Sequence, residues 1–184
     1  MKNNDNYLVE QILKGDVNSF SFIVERHKDK SFNLAVKICG NREDAEEIVQ
    51  DAFLKAYRSL GGFRMESNFT TWLYRIVYNT AISRVRNKDE NTMPLEEAPD
   101  CWETNNNENE LFDNERKKLL INFALSKLNE VDRGLIIFMY YDDLTIDEME
   151  KITGLSAANI KVRLHRSRQK MLEILTKIQN NETI

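Results

Sequence analysis

Residues 145–168 read TIDEMEKITGLSAANIKVRLHRSR. Thr145 and Glu148 form the pattern of a capping box, in which the Thr side chain takes the Glu backbone N–H and the Glu side chain returns the bond. Gly154 is placed to stop the helix that follows, and Ser156 to cap the next one over about 157–179. A short capped helix, a Gly-containing turn and a second capped helix is helix-turn-helix spacing. At 100° per residue, Ala157, Ile160, Leu164, Met171 and Leu175 share one side of the second helix, the side owed to a core. Ala158, Val162, His165 and Gln169 lie opposite, flanked by Asn159, Lys161 and Arg166, with Arg163, Arg168 and Lys170 adding further cations. Small residues in the first turn permit close approach, and the cations can reach phosphates or guanine edges of duplex DNA. A solvated basic helix in a bundle has the same composition, so the capped turn carries the distinction.

The rest of the chain also reads as helical. Of 184 residues, only six are Gly and two are Pro, which is poor in the turns an all-β chain needs. The spacing predicts helices over about 5–14, 18–39, 41–60 and 68–87, then 111–128 and 131–141. Asn41 is the expected N-cap of the third, with Glu43 and Asp44 in the first turn where the helix dipole favours acids. No apolar run approaches the ~20 residues of a membrane span. No secretory leader pattern opens the chain, and Cys39 and Cys101 are too few for a disulfide framework. A cytoplasmic location is expected.

Charge divides the chain more sharply than its net value of −4. Residues 1–88 carry a net +3, residues 89–115 ten carboxylates and no cation, and residues 116–184 again +3. The acidic strip holds both prolines, Pro94 and Pro99, and reads as a linker between two small all-α domains, 1–88 and 116–184. Ten carboxylates without a cation resemble nucleic acid electrostatically. The strip can be a spacer, can occupy a basic channel of a partner, or can mask the basic helix of the free protein.

Two faces of the first domain stand out. In the third helix Ala45, Ile48, Val49, Ala52 and Ala56 form the core stripe, whereas Glu47, Gln50, Asp51, Leu54 and Arg58 face away. An outward Leu within acids and amides suits a protein partner, although a solvated face with one stray Leu looks the same. In the fourth helix Phe69, Leu73, Ile76 and Thr80 are core positions. Tyr74 and Tyr78 are expected opposite them, exposed beside Arg75, Ile82 and Arg86. Aromatics interleaved with Arg offer single-stranded bases a stacking surface and counter-charge. The preceding loop, including Phe63, Arg64, Ser67 and Asn68, could hold an extruded base. The alternative is that these tyrosines pack on a neighbouring helix. No nucleophile–base pair, phosphate-cradling Gly loop or metal-ligand spacing is recognisable, so neither an enzyme nor a bound metal or cofactor is expected, and no small-molecule substrate.

Three motifs together carry a family resemblance. Asp44-Ala45-Glu46-Glu47-Ile48-Val49-Gln50-Asp51-Ala52-Phe53 resembles region 2.2 of bacterial extracytoplasmic-function (ECF) sigma factors. Phe69-Thr70-Thr71-Trp72-Leu73-Tyr74-Arg75-Ile76-Val77-Tyr78-Asn79 is similar to their regions 2.3 and 2.4, and Ile160 to Arg168 to their region 4.2 recognition helix. The resemblance implies a dissociable initiation subunit of RNA polymerase. Asp44, Glu47, Gln50, Asp51 and Leu54 would meet the clamp of the β′ subunit. The loop and fourth helix, with Thr71 and Asn79 joining the residues above, would read and melt the −10 element, and the recognition helix would sit on the −35 element. The second domain would also bind the β flap, and an anti-sigma partner would hold the protein inactive. The chain departs from the family pattern at Ser83, at Asn129-Glu130, which lacks a Pro, at Glu150 in place of a small residue, and at Asn159 in place of Thr. A conventional helix-turn-helix repressor or activator binding operator DNA alone is the competing reading, and a helical adaptor binding only proteins a third.

Overall fold

The structure, a computed structural model, describes residues 4–63, 68–89 and 110–181, with side chains for all of these except 4, 89, 110–114 and 181. Eight α-helices account for most of the described residues: α1 Asn4–Leu13, α2 Ser19–Cys39, α3 Arg42–Ser59, α4 Phe69–Asp89, α5 Glu110–Ser126, α6 Glu130–Tyr140, α7 Ile146–Thr153 and α8 Ala157–Asn181. A single 3₁₀ turn, Leu60–Gly62, follows α3. The linker charges, Cys101 and the loop residues Arg64 and Ser67 lie mainly or wholly outside the described residues.

Helix ends follow local chemistry. Gly40 takes φ +84° after α2, and its N–H returns to the Val36 carbonyl, closing the C-terminal turn. Asn41 Oδ1 accepts the Asp44 N–H at 2.7 Å and starts α3. Asn129 does the same for α6, accepting from Asp132 N at 2.9 Å, so the position that lacks a Pro holds a side-chain cap instead. The Thr145–Glu148 capping box has both of its bonds, and Gly154 ends α7 at φ +74°. Ser156 Oγ accepts from Asn159 N at 3.4 Å. Glu150 supplies a cap that capping rules did not foresee. Its carboxylate reaches across the turn to the Ala157 N–H, one of the orphan donors opening α8. The departure at 150 thus ties the two helices of the motif together.

In the first domain α2, α3 and α4 pack on one another and α1 lies on α2. Ile23, Leu34 and Ile38 of α2 meet Ile48 and Ala52 of α3 and Leu73 and Val77 of α4, all buried. Asp5 fixes α1 by pairing with Arg26 and with His27 Nε2 at 3.0 Å. In the second domain α8 packs on α5, α6 and α7. The two domains touch. Helix α6 lies against α2 and α4, and α7 against α4, so one apolar cluster runs through both.

Candidate nucleic-acid interface

The recognition helix presents the face expected of it. Ile160, Leu164 and Ser167 are buried towards the domain core. Ala158, Asn159, Lys161, Val162, His165, Arg166 and Arg168 are exposed, Val162 at 48%. A valine left that open beside two cations is a surface suited to the thymine methyl and phosphates of a major groove. Two of the cations are engaged within the protein. Arg168 lies over the Tyr140 ring, 5.6 Å from its centroid. Arg163 is only half-exposed. Its Nε donates to Asn159 Oδ1 at 3.1 Å and its Nη1 to Asp132 Oδ1 at 2.7 Å.

The expectation of exposed tyrosines on α4 is overturned. Tyr74 is 2% and Tyr78 4% exposed, and Ile82 is buried with them. They do lie opposite the first-domain core stripe, but the second domain covers them. Phe138 of α6 stacks on Tyr74 with ring centroids 6.4 Å apart and meets Tyr78 at a tilt, at 5.5 Å. The Tyr74 hydroxyl faces the Asp142 carboxylate. Gly134 lets α6 approach this closely, since a Cβ there would fall 2.7 Å from Tyr78 Cε2. A mid-helix glycine costs roughly 1 kcal/mol against alanine, which the contact offsets.

Polar contacts rim this seam. Arg86 Nε bonds Glu130 Oε1 at 2.9 Å. Arg133 Nη1 donates to the Ile38 carbonyl at the end of α2 at 2.7 Å, while its other nitrogens hold the Leu125, Ser126 and Leu128 carbonyls. Lys37 of α2 sits 3.5 Å from the Tyr141 ring centroid. Burial pushes the Tyr74 hydroxyl up, with the negative Asp142 adding to it. Burial and then Glu130 push Tyr78 up to about 12. Burial likewise raises Asp142 against the pull of Lys37 and Lys30, and lowers Lys37 against the pull of Asp142.

The remaining −10 residues divide. Phe63 is a core ring, 5.6 Å from Phe69 and 5.2 Å from Trp72, and Thr71 is buried. Asn68, Arg75, Asn79 and Arg86 are exposed. On α3, Glu47, Gln50, Asp51 and Leu54 are exposed, Leu54 at 53%. Asp44 differs from them. Lys88 Nζ at 2.7 Å, Arg84 Nε at 3.5 Å and the Asn41 amide surround its carboxylate. Burial alone would raise its pKa, but these donors hold it below the usual carboxylate range. Asp44 therefore joins the start of α3 to the end of α4, and Arg84 extends that link to Glu47.

Sequence reasoning missed Gly134, Phe138, Arg133 and Asp132. Two signals pointed to the first pair: a glycine inside a helical pattern, and the run Leu135-Ile136-Ile137-Phe138, apolar on every side of its helix. All four of those apolar residues are buried, some towards α8 and some towards the first domain.

Comparison with known proteins gives consistent matches. Residues 23–90 match the family model Sigma-70 region 2, and residues 118–171 match Sigma-70, region 4. The chain is 32% identical over 176 residues to the ECF RNA polymerase sigma factor SigW of Bacillus subtilis, covering 88% of this chain and 91% of that one. It is 31% identical over 175 residues to the ECF RNA polymerase sigma-E factor of Escherichia coli K12, covering 90% and 91%. Among solved structures, CnrH in complex with the cytosolic domain of CnrY aligns with a TM-score of 0.69 at 22% identity, over 94% of this chain and 97% of that one. The sigma factor RpoE of Bartonella quintana, in complex with the anti-sigma factor NepR, aligns with a TM-score of 0.68 at 22% identity, over 85% and 96%. These two show a shared fold.

Proposed function

This chain belongs to the ECF sigma factors of RNA polymerase, which direct core polymerase to specific promoters, and we propose how its residues divide that work. Helix α8 reads the −35 element through Ala158, Asn159, Lys161, Val162, His165 and Arg166, with Arg168 towards phosphate. The loop before α4, with Asn68, Arg75, Tyr74, Tyr78, Asn79 and Arg86, takes the −10 element. Glu47, Gln50, Asp51 and Leu54 meet the β′ clamp, with Asp44 holding α3 in place beneath them. The second domain engages the β flap. The protein acts in the cytoplasm by binding rather than by making or breaking bonds. A partner of the anti-sigma class is part of the reading, supported by the two complexes of like fold.

The observation that carries this reading is the free, cation-flanked face of α8 on a helix-turn-helix joined to a region 2 domain. The covered α4 face fits it as a resting arrangement. Extruding a base costs a few kcal/mol and stacking returns roughly 1–3 kcal/mol per base. Tyr74 and Tyr78 can contribute that stacking only after α6 leaves them. Promoter capture therefore includes parting of the domains.

Run-off transcription tests the reading. The full chain, added to bacterial core RNA polymerase on a pool of genomic promoters, should create discrete new starts absent without it. Tight binding of duplex DNA by the chain alone, with no new starts, would favour a conventional regulator.

A further inference from the structure

Asparagine in a recognition helix ordinarily suggests adenine, because its side-chain O and N together match adenine N6 and N7. Asn159 sits in the first turn of α8, where such helices meet base edges. Its carboxamide oxygen already accepts one hydrogen bond, which leaves a lone pair but fixes which way the amide faces. Arg163 has donors only, so the oxygen end of the amide must be the one facing its Nε at 3.1 Å. The amide is planar, which turns Nδ2 away from the guanidinium. Arg163 Nη1 in turn donates to Asp132 Oδ1 at 2.7 Å, and Asp132 also takes the Asn129 amide at 2.6 Å. The Arg163 and Asp132 side chains are 35% and 19% exposed, so this end of the chain of contacts is anchored between α6 and α8, and the Asn159 end is at the surface.

We propose that Asp132 and Arg163 orient Asn159 with its Nδ2 donor leading, so that at one −35 position the protein selects an acceptor edge, guanine N7 and O6 foremost, over adenine. Arg163 is then a positioning residue. Its charge is balanced by Asp132 and directed along the helix surface, and it is not the groove or phosphate contact its basic character suggests. The proposal deepens the −35 reading above and rests on it.

The test is selection by transcription. The full chain with core polymerase acts on templates randomised across the −35 region, and transcripts are sequenced. Wild type should favour guanine over adenine about tenfold at one position, on the scale of a single good base contact. Asn159→Ala should flatten preference there and nowhere else. Arg163→Lys keeps the charge but loses the fork that spans two acceptors. It should bring guanine and adenine at that position to within about twofold while other positions keep their preference. Asp132→Asn should shift it the same way, less far. An adenine preference in wild type, or an unchanged profile in Asn159→Ala, overturns the proposal. So does Arg163→Lys lowering transcription evenly with preference intact, the signature of a phosphate contact. If wild type enriches no promoter at all, the sigma-factor reading itself has failed, and that result is distinct from each of the others.

Discussion

Helices α4 and α8 look alike in sequence. Each has an apolar stripe for its own domain and an opposite side suited to nucleic acid, tyrosine and arginine on one, small residues and cations on the other. In the folded chain the α8 side is open, whereas the tyrosines of the α4 side are covered by the second domain. The helices themselves do not cause the difference. It comes from α6, whose run Leu135-Ile136-Ile137-Phe138 is apolar on every side and must bury two sides. An amphipathic helix reports one buried face reliably. Whether its other face stays wet depends on a distant segment that no local period reveals.

The largest effect expected on this contrast is in open-complex formation. Tyr74→Ala and Tyr78→Ala should each reduce promoter melting, read by permanganate reactivity, far more than they reduce core binding. Loss of a stacked base contact would lower melting about 5- to 150-fold, from roughly 1–3 kcal/mol. Equal melting by wild type and both variants would remove α4 from the −10 assignment.

A second variant addresses the cover itself. Gly134→Leu leaves the helical backbone content but drives side-chain atoms into the Tyr78 ring, which Phe138 already confines. Overpacking of this kind costs roughly 1–3 kcal/mol, borne by the closed arrangement alone. Small-angle scattering should show a larger radius of gyration while helix content by circular dichroism is retained. An unchanged radius would mean that the seam does not hold the domains together in solution.

The smallest effect is a titration. Tyr78 is raised to about 12 in the closed arrangement, against an ordinary value of about 10. A raised pKa means that the neutral phenol is preferred when covered. Its contribution to closure is complete below about pH 10 and is lost as pH climbs through about 12. Tyrosinate absorbance should therefore show a late-titrating fraction in wild type that moves towards about 10 in Gly134→Leu. A titration curve identical in the two proteins would contradict the assignment of Tyr78 to the seam.

Much of the fold was legible because its boundaries are chemical. Asn41, the Thr145–Glu148 box, Gly40 and Gly154 each end or start a helix through a backbone bond that local sequence dictates. The outward residues of α8 were legible for the same reason, since a single period sorts them. The α4 tyrosines were not, because their neighbour Phe138 lies 60 or more positions along the chain. The pairing of Arg163 was hidden on a smaller scale. Its charge was plain, but the acceptor that claims it, Asp132, stands on another helix. Asp44 shows the same pattern, with Lys88 and Arg84 folding back from the far end of α4.

Arg133 sets how the seam can open. Of the four carbonyls its guanidinium holds, Leu125, Ser126 and Leu128 belong to its own domain and only Ile38 to the other. Three of these bonds stay within the second domain and hold the side chain in the conformation that reaches Ile38. Ordering a free arginine would cost up to roughly 2 kcal/mol on each return. Here three bonds within the second domain already supply that ordering, so the arm that reaches the first is preset, as a latch whose tongue is held out.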